Sequence, residues 1–122
     1  MPAPSFTKPI LLIDDDPQDR RLFTHFFAKL GLKVIATGDP EVAMAQIVSG
    51  DVGCVITDQA MQISGHELLA NVRQVRSDIG VIFISGADRP SQPLPSGVMF
   101  FKKNDRAGLA EHVLKCMARW RR

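Results

Sequence analysis

Three consecutive aspartates, Asp14, Asp15 and Asp16, directly follow the apolar run ILLI, and a fourth, Asp58, closes the run CVIT. A third apolar run ends in Ser85-Gly86, and a fourth is followed by Lys102 and Lys103. If these runs are parallel strands, the polar side chains gather on one rim, because ligands of open parallel sheets bind beyond the carboxyl ends of the strands. Gathered carboxylates repel: a pair ~4 Å apart costs about 4 kcal/mol at an effective dielectric of ~20. A hard divalent cation removes that penalty, and magnesium favours a few carboxylates, retained waters and a phosphate oxygen. A carboxylate beside such an ion can accept a phosphoryl group covalently. The metal, a hydroxyl and a lysine would then hold the three equatorial oxygens of the group in transfer. Asp16, with Pro17 after it, reads only as a helix cap.

The elements that must position these residues alternate along the chain. Apolar runs at 10–13, 33–37, 52–57, 81–85 and 98–101 are short and rich in Val, Ile and Phe. Most show no polar alternation, as expected of strands covered on both faces. Between them lie amphipathic stretches with start and stop signals. Asp16-Pro17 opens one, Leu22, Phe23, Phe26, Phe27 and Leu30 form its apolar stripe, and Gly31 suits its end. Asp39-Pro40 and Gly50 bound the next, and Ser64-Gly65-His66-Glu67 is a capping-box pattern for a third. A last helix starts near Asn104 or Asp105 and carries Leu109, Val113 and Met117 on one face. The crossover from Gly86 to Gly97 differs: Pro90, Pro93 and Pro95 forbid a regular helix, since proline in a helix interior costs ~3 kcal/mol or more. It is expected to be irregular, with one helical turn at most. The order is a doubly wound α/β fold with right-handed crossovers.

Composition bounds the reading. The chain has 122 residues, enough for one domain that buries roughly two-thirds of its unfolded surface, so 1–122 is expected to be a single domain without metal or disulfide staples. Apolar residues make up 45% and charged residues 23%, which excludes a disordered or fibrous chain. A net charge of +2 is too small for a dedicated nucleic-acid binder. No apolar run approaches a membrane span or the core of a signal peptide. Cys54 and Cys116 have no paired or metal-type spacing and are expected to be reduced, buried thiols of a cytoplasmic protein. His25, His66 and His112 also lack metal-ligand spacing and read as helix-face histidines. Trp120 reads as core packing of the last helix, and Arg119, Arg121 and Arg122 as cations at its negative end.

In order and spacing, ILLIDDDP, CVITD, the M-x-x-x-G-x-E-L stretch, VIFISG and FFKK resemble the receiver domains of two-component response regulators from Ile10 to about Trp120. The resemblance implies a flavodoxin-like five-stranded sheet of order 2-1-3-4-5. It implies Asp58 as phosphoacceptor, Asp14 and Asp15 as the acidic pair that positions Mg2+, and the carbonyl of Ala60 as a further metal ligand. Ser85 would be the hydroxyl that meets the phosphoryl group, and Lys102 the pocket lysine. The donor would be a phosphohistidine on a sensor histidine kinase or phosphotransfer protein. The chain would catalyse only its own phosphorylation and dephosphorylation, with no direct contact to nucleic acid or membrane.

The departures are specific. Met61-Gln62 lacks the proline usual after the acceptor, and Gly65 arrives one residue early. The position three before the pocket lysine, where the family has an aromatic switch residue, is Met99. Lys103 stands where proline usually follows through a cis bond, so a trans peptide and a re-routed loop are expected, with Lys102 still reaching Asp58. Phe83-Ile84-Ser85-Gly86 is similar to the F-A-T-G-Y signature of a minority of single-domain receivers. With the resemblance running to about Trp120, a stand-alone receiver, a phosphate shuttle or a fragment of a longer regulator is expected. Two other readings stand: an interaction module whose pocket does not turn over, given Gln62 and Lys103, and a haloacid-dehalogenase-like phosphatase with Asp14 as nucleophile.

Overall fold

The computed structural model describes residues 6–59, 65–76, 78–91 and 93–121. Five strands, β1 (Ile10–Ile13), β2 (Val34–Thr37), β3 (Cys54–Asp58), β4 (Gly80–Ser85) and β5 (Met99–Lys102), form one parallel sheet in the order β2-β1-β3-β4-β5. Four helices cover it: α1 (Pro17–Ala28), α2 (Pro40–Ser49), α3 (Gly65–Val75) and α4 (Arg106–Met117), the last followed by a 3-10 turn at Ala118–Trp120. This is the expected doubly wound fold with the expected strand order.

Strand alternation divides the core between the two faces. Ile10, Leu12, Cys54, Ile56, Ile82 and Ile84 pack with Phe23 and Phe27 of α1 and with Leu109, Val113 and Met117 of α4. Leu11, Ile13, Val55, Val81 and Phe83 pack with Ala43 and Ile47 of α2 and Leu68 and Val72 of α3. With both faces covered, β1 and β3 have no exposed residue to mark their alternation, which is why they read as unbroken apolar runs.

The helix signals act as their chemistry requires. Asp16 Oδ1 accepts the Gln18 N–H at 2.9 Å and Asp39 Oδ1 the Glu41 N–H at 2.9 Å, each with proline in the first turn. Asp105 caps α4 by accepting the Gly108 N–H at 3.1 Å. Gly50 ends α2 with φ +82°, a left-handed conformation that favours glycine. Ser64 of the expected capping box lies outside the described residues.

The described residues between β4 and β5 form no helix. Instead the crossover is tied down by side chains from elsewhere. Gln59 Oε1 accepts the Ser91 N–H at 3.1 Å, and Arg73 of α3 donates to the Ser96 carbonyl. Trp120 packs against the core as expected, although from the 3-10 turn beyond α4, and its indole N–H donates to the Gly53 carbonyl at 3.1 Å.

Candidate functional site

Among the described residues, the carboxyl ends of β1 and β3 carry the two buried carboxylates. Asp14 follows β1, where its N–H continues the ladder to the Thr37 carbonyl at 3.0 Å, and its side chain is wholly buried. Asp58 is the last residue of β3 and almost as buried. Both continue the strand parity that faces α1 and α4, following Leu12 and Ile56. Asp15, next to Asp14, is exposed. Carboxylate oxygens of Asp14, Asp15 and Asp58 lie within 4.8 Å of one another.

The cation among them is Lys103. Its Nζ lies 2.7 Å from Asp14 Oδ2, 2.9 Å from Asp58 Oδ2 and 2.7 Å from Asp19 Oδ2, in the first turn of α1. The expectation that Lys102 fills this place is corrected by the structure. Lys102 Nζ instead pairs with Asp88 of the crossover at 3.0 Å, with side chains 43% and 83% exposed. Alternation along β5 is the cause. Phe100 packs toward α2 and α3 and Phe101 toward α1 and α4, so Lys103 inherits the Phe101 side, where Asp14, Asp19 and Asp58 stand. The Lys103 N–H extends the ladder by donating to the Ser85 carbonyl at 2.8 Å, which fixes its backbone beyond the strand. No peptide bond among the described residues is cis, as expected for Lys102-Lys103.

Electrostatics follow from this packing. Burial raises the Asp14 carboxyl above its ordinary range, against the Lys103 ammonium and the Asp16 N–H, which stabilise the anion. Burial lowers the Lys103 ammonium, but three carboxylates at hydrogen-bonding distance more than offset that, and its proton is held above the usual lysine range. Asp14 Oδ1 accepts the Asp16 N–H at 2.9 Å, whereas buried Oδ2 has the Lys103 ion pair but no well-aligned hydrogen bond. One ammonium thus faces Asp14, Asp19 and Asp58, with Asp15 beside them. An under-neutralised set of hard oxygen donors with one poorly satisfied buried oxygen fits a divalent cation such as magnesium.

Ser85 ends β4 and is buried, its Oγ accepting the Ala87 N–H at 3.0 Å. It stands at the register position of Lys102, next to the strand that leads into Lys103. Ala60, Met61 and Gln62 lie outside the described residues. Sequence reasoning missed Asp19 and Gln59, and of the two lysines at this rim it chose Lys102 over Lys103. Asp19 reads as an ordinary acid in a first helical turn, and Gln59 is recognisable only by its tie to the crossover. For Lys103 a signal existed: taking it as the pocket lysine puts Phe100, an aromatic, three residues upstream in place of Met99.

The profile of the family described as response regulator receiver domain matches residues 10–117. Among solved structures, the chain is similar to the response regulator protein TrrA from Thermotoga maritima in complex with Mg(2+)-BeF, at 27% identity and a TM-score of 0.80, covering 89% of this chain and 98% of that one. It is likewise similar to the receiver domain from the hybrid histidine kinase CckA, at 28% identity and a TM-score of 0.75, covering 89% and 98%. A chain of the complex between histidine kinase ThkA and TrrA matches at 26% identity and a TM-score of 0.80, covering 90% and 98%. No curated protein sequence gives a significant match.

Proposed function

The chain belongs to the response regulator receiver domain family, and from that premise we propose that it is a phosphorylation-dependent signalling switch in which Asp58 accepts a phosphoryl group from a phosphohistidine. The observation that carries this reading is the convergence of Asp14, Asp15, Asp58 and Lys103 at the carboxyl ends of the strands. An oxygen of Asp58 forms the new bond to phosphorus as the phosphorus–nitrogen bond breaks, and the electron pair leaves with the imidazole. Lys103, whose ammonium stays charged throughout the physiological range, meets the negative charge that builds on the phosphoryl oxygens. Ser85 Oγ already accepts one hydrogen bond, and its own O–H remains the donor it can offer to a phosphoryl oxygen. Magnesium held by Asp14, Asp15 and Asp58, with the Ala60 carbonyl as the family resemblance implies, would neutralise the carboxylates and the incoming group.

The donor is a sensor histidine kinase or a histidine phosphotransfer protein, a reading supported by the relative that is complexed with a histidine kinase. The catalysis is confined to the chain's own phosphorylation and dephosphorylation. No described helix is long and apolar enough to cross a membrane, in keeping with action in the cytoplasm. With the pocket lysine at 103, the aromatic switch position becomes Phe100, partly buried against the α2/α3 side of the core.

Incubation with acetyl phosphate, followed by intact-mass measurement, tests the reading. One phosphoryl group is expected on the chain with magnesium present, none after chelation, and none on Asp58→Asn, which keeps the shape but lacks the second carboxylate oxygen. Magnesium-independent labelling, or full labelling of Asp58→Asn, would overturn it.

A further inference from the structure

A second group of reactive side chains lies at the amino ends of β3 and β4, the end of the sheet away from the carboxylates. Cys54 opens β3 and is fully buried, while Cys116 lies in the last turn of α4 and is only partly buried. Gly80, the register partner of Cys54 on β4, brings them together. A Cβ at position 80 would stand 2.8 Å from Cys116 Sγ and 3.9 Å from Cys54 Sγ. The missing side chain is therefore the space into which the Cys116 sulfur settles, over the sheet and toward Cys54. Both sulfurs thus border the one gap left at Gly80, and Cys116 Sγ also lies 3.6 Å from His112 Nε2, one turn earlier on α4.

The two sulfurs are not equivalent. Contact with the Cys54 S–H favours the Cys116 thiolate and holds that thiol near 7 despite its burial. The same contact, together with burial, pushes Cys54 well up. The thiolate is the nucleophile in cysteine chemistry, and access decides which sulfur reacts. A reachable thiolate with a second thiol against it is the arrangement in which a sulfenic acid is resolved to a disulfide. The phosphorylation pocket makes no use of either group.

We propose that Cys54 and Cys116 form a reversible oxidation site for a small hydroperoxide, with Cys116 oxidised first and Cys54 resolving it as an intramolecular disulfide. In the first step the Cys116 sulfur attacks one peroxide oxygen. A sulfur–oxygen bond forms, the oxygen–oxygen bond breaks, and the departing oxygen takes up the proton lost by the thiol and leaves as water or an alcohol. In the second step the Cys54 sulfur attacks the Cys116 sulfur. The sulfur–sulfur bond forms, the sulfur–oxygen bond breaks, and the hydroxide leaves with the Cys54 proton as water. Two thiols are oxidised by two electrons and the peroxide is reduced by the same two; a dithiol reductant reverses the change. The crosslink would fasten the end of α4 to the start of β3.

The experiment treats the folded chain with hydrogen peroxide, quenches with an alkylating agent and measures intact mass and peptides. The wild-type chain is expected to lose two hydrogens, to escape alkylation at both cysteines and to yield a linked Cys54–Cys116 peptide that a dithiol separates. Cys54→Ala is expected to stop at a sulfenic acid on Cys116 that dimedone captures. In Cys116→Ala the buried Cys54 is expected to react at least tenfold more slowly than Cys116 does in the wild type. A wild-type chain that only accumulates oxygen on Cys116 with no linked peptide would overturn the proposal, whatever the variants do. So would a Cys54 that reacts equally fast without Cys116.

Discussion

Lys102 and Lys103 are the same residue type one peptide bond apart, and their surroundings separate them completely. Lys102 makes an exposed pair with Asp88, an interaction typically worth about 0–1 kcal/mol. Lys103 is mostly buried and is shared by three carboxylates. Removing one partner of a buried pair leaves uncompensated charge, so Lys103→Ala is expected to cost on the order of 2 kcal/mol after allowance for its partial exposure. It should also abolish the conformational response to phosphorylation, whereas Lys102→Ala should stay within about 0.5 kcal/mol of the parent and respond normally. Denaturant titration and the phosphorylation-induced spectral change of the two variants test this; equal effects would contradict it. At this scale the carboxylates were legible, because Asp14 and Asp58 end apolar runs whose direction is dictated by the fold. The lysine was not, because the alternation of FFKK alone does not say which residue of the pair shares the parity of Asp58. Only the aromatic at Phe100, three residues before Lys103, distinguishes them.

At the scale of elements, the crossover between β4 and β5 was legible as a loop because three prolines remove donors and clash with helical geometry. What fastens it was not legible, since the tie comes from a residue more than thirty positions upstream. Gln59 directly follows Asp58, its own N–H donates to the Ile84 carbonyl at 3.1 Å, and its buried side chain holds the Ser91 amide. The residue after the phosphoacceptor is thus joined to the segment that replaces the missing helix. A neutral hydrogen bond of this kind contributes about 1 kcal/mol. Gln59→Ala should therefore open the Ser91 amide roughly fivefold more often, read by hydrogen exchange, with the amides of β1 and β3 unchanged. Unaltered protection at Ser91 would show that the crossover is held by other contacts. The helix boundaries were more legible than this tie, because Asp16, Asp39 and Asp105 each accept a hydrogen bond from their own first turn and need no distant partner.

For the whole molecule, the two faces of the sheet are sealed at the end opposite the carboxylates by Trp120. Its indole touches the packing on both faces, accepts the cations of Lys8 and Arg119 against its ring at 4.7 and 4.9 Å, and lies where a Cβ at Gly53 would be 2.5 Å away. The Thr7 N–H donates to the Trp120 carbonyl at 2.7 Å, so the first described strand-like bridge and the last turn close on each other. Trp120→Ala should cost about 3 kcal/mol and lower the melting temperature by roughly 10 °C while leaving phosphoryl acceptance intact. An unchanged melting temperature would remove Trp120 from the account of stability. The central claim concerns the other end of the sheet. An aspartyl phosphate is reduced by borohydride to homoserine, and peptide mass spectrometry then locates the converted residue. After phosphorylation in magnesium the conversion is predicted at Asp58 alone. Conversion at Asp14, the nucleophile that a haloacid-dehalogenase-like phosphatase would use, or conversion at neither residue, would contradict the account.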